Sequence, residues 1–142
     1  MKKKFETKHI GGMAFEMVLD DHHKIVMDAK EEVGGNDQGP RPKQFIITAL
    51  TGCSGMDVVS ILKKMRVDFD KFTIEVETDA SEEHPKVYTN IHMVYKFEGK
   101  DLKENSEKFE KAISLSHDRY CGVSAMLTQA AKLTHELELI EK

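Results

Sequence analysis

The feature that most constrains the fold is a long apolar segment from Gly39 to Met65, which reads GPRPKQFIITALTGCSGMDVVSILKKM. Pro42 suits the first turn of a helix, and the cations near the other end interact favourably with the helix dipole. The positions near one apolar stripe are Phe45, Ala49, Met56, Val59 and Met65, and Ile46, Leu50, Cys53, Ile61 and Leu62 widen it. So broad an apolar surface predicts a helix, ending at about Arg66, that is covered on more than one side.

Alternating apolar and polar residues on both sides of this segment predict β-strands. Before it lie KKKFETKHI and MAFEMVLD, joined by the hairpin signal Gly11-Gly12, and then KIVMDA. After it lie the alternating segments FDKFTIEVETDA and KVYTNIHMVYKFEG, two helical segments that begin near Leu102 and Cys121, and the strand-like LTHELELIEK. The predicted order, βββ-α-ββ-αα-β, indicates an α+β fold in a single domain of residues 1–142.

Composition narrows the class of protein. The chain has 142 residues and a net charge of −4, so no basic face for nucleic acid is expected. No apolar run is expected to approach the roughly 20 residues that a membrane span needs. The N-terminal MKKKFETKH carries the charge of a signal peptide without an apolar region after it. We therefore expect a cytoplasmic protein without nucleic-acid or membrane partners.

Cys53 lies in the middle of the predicted helix, between Gly52 and Ser54-Gly55. A free cysteine can be a small buried hydrophobe, or it can be redox-active, and its position alone leaves both open. Two glycines in a helix interior are unfavourable, and they make sense where another backbone or a ligand comes close. Asp57, one turn further on, could belong to a network near the thiol or face solvent.

Cys121 lies in SLSHDRYCGVSAML, where one helical segment breaks and the next begins. A thiol at a helix N-terminus with nearby cations, here Arg119 and His117, is typical of a lowered thiol pKa. Neither cysteine belongs to a C-x-x-C motif, which argues against zinc-ribbon and thioredoxin-type sites. The histidines show no metal-ligand spacing, so neither a metal site nor a cofactor is expected.

The two cysteine segments together resemble the OsmC/Ohr family of osmotically inducible and organic-hydroperoxide-resistance proteins, in its less characterised OsmC-like branch. The resemblance implies an intertwined homodimer with a long central helix and two active sites at the subunit interface. It also implies that Cys53 attacks a hydroperoxide and becomes a sulfenic acid, with which Cys121 condenses to a disulfide. A dithiol reductant, lipoyl-linked in the best-known members, then restores the pair. The implied activity is that of a thiol peroxidase in oxidative stress defence.

The chain departs from the hydroperoxide-reducing members of the family at the thiolate-activating residues. Lys43 and Gln44 follow Pro42 where those members carry a Glu, and residues 1–40 contain no Arg. The predicted catalytic residues are Cys53, Cys121 and Arg119, with Arg119 as the activating cation. The predicted binding residues are Arg41, Gln44 and Asp57. Two alternatives stay open: a non-enzymatic dimer that binds a small hydrophobic ligand in the interfacial pocket, and a cysteine redox sensor.

Overall fold

The predicted long helix, α1, spans Pro42–Lys64 in the computed structural model, which describes residues 1–20 and 22–142. The chain forms two compact units, residues 1–48 and 49–142, and most of α1 belongs to the second. The helix ends two residues before the expected Arg66, whose φ of 57° is left-handed. The Val67 N–H donates to the Leu62 carbonyl and the Arg66 N–H to the Lys63 carbonyl, which closes the last turn.

The first unit contains the predicted antiparallel meander. Its strands are β1 (Glu6–His9), β2 (Phe15–Leu19) and β3 (His23–Met27), paired in the order β1-β2-β3. The turn between β1 and β2 needs positive φ angles, which Gly11 and Gly12 supply at 111° and 54°. The two-glycine hairpin signal is thereby confirmed.

The second unit is built on a sheet with β5 (Tyr88–Gly99) at its centre. β4 (Lys71–Ala80) pairs with β5 antiparallel, and β6 (Lys132–Glu141) pairs with it parallel. Because side chains alternate along a strand, one face of β5 carries Ile91, Met93, Tyr95 and Phe97, all of them 0% exposed. The predicted strands and their order are confirmed, and the fold is α+β.

Two shorter helices, α2 (Ser106–Leu115) and α3 (Gly122–Leu127), lie between β5 and β6 in the chain. On α2, Phe109 and Ile113 are completely buried, and Leu102 just before the helix is 1% exposed. The rings of Phe97 and Phe109 lie 4.6 Å apart, so α2 packs on the face of β5 that also carries Tyr95.

One face of α1 packs inward within the chain. Its buried residues are Leu50, Ser54, Val58 and Leu62, which follow one another at one-turn spacing. Met56 and Val59, which lie near the predicted apolar stripe, are 76% and 43% exposed in this chain. Cover on a second side of the helix therefore stays a prediction. The inward face also includes a serine whose hydroxyl finds buried partners, which a count of apolar residues alone did not predict.

The length and composition of α1 also correct the expectation about membrane spans. The helix is long and apolar enough to cross a membrane, because Asp57 is the only charged residue between positions 44 and 62. The core helix of a soluble protein passes the same test, so this is weak evidence for a span.

Candidate active site

A π-helical turn, Ser116–Tyr120, joins α2 to α3. Such turns widen a helix locally and are frequent at functional sites. The turn ends at Cys121, whose N–H donates to the Ser116 carbonyl at 2.7 Å. Cys121 then caps α3, because its Sγ accepts a hydrogen bond from the Ser124 N–H at 3.3 Å. The predicted helix break, with Cys121 opening the next segment, is confirmed.

The two cysteines of the chain come together in space although 68 positions separate them in sequence (121 − 53). The Sγ atoms of Cys53 and Cys121 and a carboxylate oxygen of Asp57 all lie within 4.8 Å of one another. Both thiols are free, Cys53 half-buried and Cys121 only 2% exposed. A disulfide needs an S–S distance of about 2.05 Å, so the sulfurs are close but not bonded.

The surroundings of Cys53 disfavour its charged form. Burial contributes most to raising the pKa of this thiol, followed by its hydrogen bond with Cys121 and the negative charge of Asp57. The backbone N–H of Val123 acts in the opposite direction. At neutral pH, Cys53 therefore carries its proton.

A chain of buried hydrogen bonds leads away from Asp57. Ser116 Oγ lies 3.0 Å from Asp57 Oδ2 and 3.0 Å from Ser54 Oγ, and Ser54 Oγ lies 2.5 Å from the Tyr95 hydroxyl. The side chains of Ser54, Tyr95 and Ser116 are 0% exposed. A buried hydroxyl group without a hydrogen-bond partner destabilises the folded state. These hydrogen bonds therefore offset the cost of burying three hydroxyl groups in the second unit.

This series of hydrogen bonds ends at a half-buried histidine, His117. The Tyr95 hydroxyl lies 2.8 Å from His117 Nε2, and His117 Nδ1 lies 3.0 Å from the buried Ser124 Oγ. The imidazole of His117 stacks on the exposed His135, with ring centroids 4.9 Å apart. Burial, followed by the charge of His135, lowers the pKa of His117.

Of the predicted site residues, the structure brings Cys53, Cys121 and Asp57 together. Arg119 is exposed in the π-helical turn. Arg41 and Gln44 belong to the first unit, where the Gln44 side chain accepts a hydrogen bond from the Arg41 N–H at 2.9 Å and so caps α1.

The Arg41 guanidinium lies among groups of the loop that precedes α1. Its Nη1 pairs with Asp37 at 2.6 Å and donates to the Gly39 carbonyl. Its Nε is buried and has no hydrogen-bond partner among the residues that the structure describes.

Each unit contains a cavity. In the second unit, a cavity of about 490 Å³ borders Asp57 and is lined by Ser60, Ile61, Lys64, Met65, Leu115 and Tyr120. In the first, an almost entirely apolar cavity of about 520 Å³ is lined by Met13, Phe15, Met27, Ala29, Val33 and Pro42, with Asp28, Lys30 and Arg41.

Sequence reasoning missed Ser54, Tyr95, Ser116 and Ser124, and it gave His117 only a local electrostatic role. A signal existed for two of them: Ser54 has the one-turn spacing of Leu50 and Val58, and Tyr95 alternates with the buried residues of β5. A polar residue at a position where the repeat predicts a buried apolar side chain indicates a buried hydrogen-bond network.

Cys53, Cys121 and Asp57 are also the residues that could hold a metal ion. Two thiolates and a carboxylate match the ligand chemistry of Zn²⁺ with a fourth position open. Metal binding and thiol oxidation would compete, because both use the same two sulfurs.

Comparison with known proteins identifies the family. The family model described as OsmC-like protein matches residues 34–136. The chain belongs to the OsmC family. It is 33% identical to protein YhfA of Escherichia coli strain K12 over 134 residues, which is 94% of this chain and 96% of the relative.

Two solved structures have the same fold as this chain. A hypothetical protein from Aquifex aeolicus VF5 is 26% identical, with a TM-score of 0.77 and 98% of each chain covered. The organic hydroperoxide resistance protein OhrB of Bacillus subtilis is 18% identical, with a TM-score of 0.65 and coverage of 96% of this chain and 98% of its own. At that identity, the likeness to OhrB is one of fold.

Proposed function

We propose that the protein reduces hydroperoxides through a disulfide between Cys53 and Cys121. The observation that carries the proposal is the placement of both sulfurs within 4.8 Å of each other. Membership of the OsmC family supports it, since several proteins of the same fold are named for organic hydroperoxide resistance.

The reaction balances in three steps. The Cys53 sulfur attacks the terminal oxygen of ROOH, the O–O bond breaks, and Cys53 sulfenic acid and ROH are formed. The Cys121 sulfur attacks the sulfenic sulfur, which forms the disulfide and releases water. A dithiol then exchanges with the disulfide, becomes oxidised, and returns both thiols.

The burial of the two sulfurs supports an assignment of their roles. Cys53 is half-buried and reaches a substrate more readily than Cys121, which is 2% exposed. This favours Cys53 as the attacking sulfur and Cys121 as the resolving one. It opposes the assignment from local electrostatics alone, in which Cys121 is the better thiolate.

The cavity beside Asp57 favours organic hydroperoxides as the substrate class, through Asp57 rather than through direct contact with Cys53. Ile61, Met65 and Leu115 give it apolar walls that suit an alkyl or aryl group, next to the polar Ser60, Lys64 and Tyr120. The proposed setting is a cytoplasmic homodimer that is reduced by a small or protein-bound dithiol.

The test is oxidation of the reduced protein by a stoichiometric amount of cumene hydroperoxide, followed by intact-protein mass spectrometry. The wild type should lose two hydrogens, and Cys121→Ser should instead keep an oxygen that a sulfenic-acid probe captures on Cys53. Catalytic consumption of the peroxide with dithiothreitol separates an enzyme from a sensor, which is oxidised but turns over slowly. Two intact thiols after treatment would refute the proposal.

A second candidate function is binding of a small amphipathic ligand in the cavity of the first unit. The observation in its favour is the almost entirely apolar surface of that cavity of about 520 Å³, with the charged Arg41 side chain among its lining residues. A carboxylate on an apolar ligand would pair with the Arg41 guanidinium. Decanoate titrated by calorimetry into wild type and Arg41→Met tests the idea, which fails if the two bind equally.

A further inference from the structure

Two sulfurs and a carboxylate oxygen converge in the second unit. Cys53 and Asp57 lie about one turn apart on α1, and Cys121 follows the π-helical turn. In a tetrahedral zinc site with Zn–S bonds of about 2.3 Å, two sulfurs are about 3.8 Å apart. The three ligand atoms lie within 4.8 Å of one another, which exceeds that spacing by about 1 Å at most. The histidine spacing gave no sign of such a site, because its ligands are two cysteines and an aspartate.

Each sulfur already accepts a hydrogen bond from the main chain. The Ser124 N–H donates to Cys121 Sγ at 3.3 Å, and the Val123 N–H donates to Cys53. Hydrogen bonds of this kind stabilise the negative charge of a metal-bound thiolate and are typical of metal–sulfur centres. Because neighbouring backbone groups supply both donors, the two sulfurs are held around a common point.

The carboxylate of Asp57 is oriented in a similar way. Ser116 Oγ lies 3.0 Å from Asp57 Oδ2 and donates to it, and the Ser116 side chain is fully buried. Ser116 Oγ also lies 3.0 Å from Ser54 Oγ, but the charged carboxylate is the stronger acceptor. Carboxylates that bind metal ions are usually hydrogen-bonded by such a neighbour, which fixes their orientation towards the ion.

The charge and chemistry of these ligands select the ion. Two thiolates and a carboxylate carry three negative charges, of which a divalent cation neutralises two, and the positively charged Lys64 lines the adjacent cavity. Sulfur ligands favour zinc over magnesium and calcium, which prefer oxygen. The cavity beside Asp57 offers an ion a route from solvent and leaves space for water as the fourth ligand.

We propose that Cys53, Asp57 and Cys121 form a zinc site in the reduced protein, and that oxidation of the two sulfurs to a disulfide releases the ion. The binding part stands on the ligand geometry alone. The release part rests on the function proposed above, and it gives the cysteine pair two exclusive states, a zinc dithiolate and a disulfide. A hydroperoxide that oxidises the pair thereby raises the concentration of free zinc.

The release step balances in atoms and charge. The zinc dithiolate reacts with ROOH and two protons from solvent, and the products are the disulfide, Zn²⁺, ROH and water. The O–O bond breaks, the S–S bond forms, and the two electrons lost by the sulfurs reduce the hydroperoxide. The ion then loses two of its three protein ligands, because the thiolate is the form of cysteine that binds metal.

Binding is tested on reduced, metal-free protein by titration with zinc chloride at one fixed pH, in competition with a chromophoric chelator. The wild type should bind an ion that Cys121→Ser binds more than about 100-fold more weakly, since loss of a ligand costs more than loss of a neighbouring group. Asp68→Asn and His23→Gln remove exposed potential ligands elsewhere and should bind as the wild type does. Binding that is lost in His23→Gln and kept in Cys121→Ser would mean an adventitious ion only and would overturn the proposal.

Ser116→Ala tests the group that orients Asp57. Its zinc affinity should fall by roughly 10- to 100-fold, as is usual when the hydrogen-bond partner of a ligand is removed. Ser54→Ala is the matched control, because it removes a buried hydroxyl that bonds to Tyr95 and Ser116, and it should keep the wild-type affinity. Equal losses of affinity in the two variants, with equal losses of stability to urea, would refute the role of Ser116.

Substitution with Co²⁺ identifies the ligand atoms. A site with two thiolates should show sulfur-to-cobalt charge-transfer absorption in the near ultraviolet, together with the intense visible bands of four-coordinate Co²⁺. Asp57→Asn should keep the charge-transfer absorption but bind the ion more weakly, because it retains both sulfurs and loses a charged ligand. A weak six-coordinate spectrum without charge-transfer absorption in the wild type would overturn the proposal.

Release is tested on the zinc-loaded protein, with a chelator that captures free zinc but does not strip the reduced protein. Cumene hydroperoxide should free one ion for each disulfide that mass spectrometry detects. Diamide, an oxidant that forms disulfides without peroxidase activity, should do the same. A disulfide between Cys53 and Cys121 that forms while the ion stays bound would overturn the release.

The zinc site and the peroxidase function fail separately. Zinc that is bound by the cysteine pair and released by diamide, but not by cumene hydroperoxide, would refute the peroxidase function and leave the zinc site. Oxidation of the metal-free protein by the hydroperoxide, without zinc binding to the pair, would refute the zinc site and leave the peroxidase function.

Discussion

Met56 provides the clearest test of the expected homodimer. It lies near the middle of α1 and is 76% exposed, on the face that also carries Thr51, Gly52, Gly55 and Val59. Burial of a Met side chain contributes about 1.5–3 kcal/mol, and a two-fold interface counts each residue twice. If this face meets a second copy, Met56→Gln should therefore weaken association by roughly 3–6 kcal/mol, or about 100- to 10,000-fold in the dimer dissociation constant.

Sedimentation equilibrium from nanomolar to high micromolar concentration measures that constant. Met126→Gln is the matched control, because Met126 is 68% exposed and lies on α3. The dimer dissociation constant of Met126→Gln should equal that of the wild type. As monomers, both variants should have a free energy of unfolding in urea within about 0.5 kcal/mol of the wild-type value. A wild-type monomer at micromolar concentration, or a Met56→Gln dimer of unchanged affinity, would refute the reasoning.

Further predictions concern helix packing, pH, metal ions and the activating cation. Gly52→Ala should stabilise the monomer by about 0.8–1 kcal/mol in urea unfolding, since a Cβ there meets no heavy atom within 4 Å among the described residues. The lowered pKa of His117 means that the unfolded chain binds its proton more readily, so thermal stability should fall as the pH drops below about 6.5, and less so in His117→Gln. Zn²⁺ should slow disulfide formation between Cys53 and Cys121, as followed by mass spectrometry, and a chelator should restore the rate. Arg119→Met should slow alkylation of Cys53 at neutral pH if Arg119 is the activating cation, and an unchanged rate would remove it from the site.

The sequence predicted the elements well because their signals are local. Alternation along β5 and the Gly11-Gly12 turn depend on neighbours in the chain, and the structure has both where they were expected. The stripe of α1 was harder, because an apolar helix with exposed Met56 and Val59 offers several faces of similar hydropathy. Which face packs inward depends on the sheet that covers it, and that pairing is not local.

The candidate site was also predicted only in part. Cys53 and Cys121 were predicted to meet through their resemblance to a family, since 68 positions of sequence separate them (121 − 53). The hydrogen-bonded hydroxyl groups of Ser54, Tyr95 and Ser116 could not be predicted, because they come from α1, β5 and the π-helical turn. Asp57 was left between two interpretations, which only the position of Ser116 decides.

The chemistry of the site follows from how an enzyme can deprotonate a buried thiol. One solution is a permanent cation beside the sulfur, which lowers the thiol pKa and stores a thiolate. In this chain, the surroundings of Cys53 raise its pKa, and Arg119 is exposed. The other solution keeps the thiol neutral, so that charge develops only during attack. A neutral thiol is also a poorer target for unselective oxidants, because the thiolate is the reactive form. A site that keeps Cys53 neutral would therefore exchange speed for selectivity among oxidants. Comparison of cumene hydroperoxide with hydrogen peroxide tests this directly: the ratio of their rates should be larger in the wild type than in Asp57→Asn, because removal of the Asp57 charge lowers the pKa of Cys53 and yields more of the unselective thiolate.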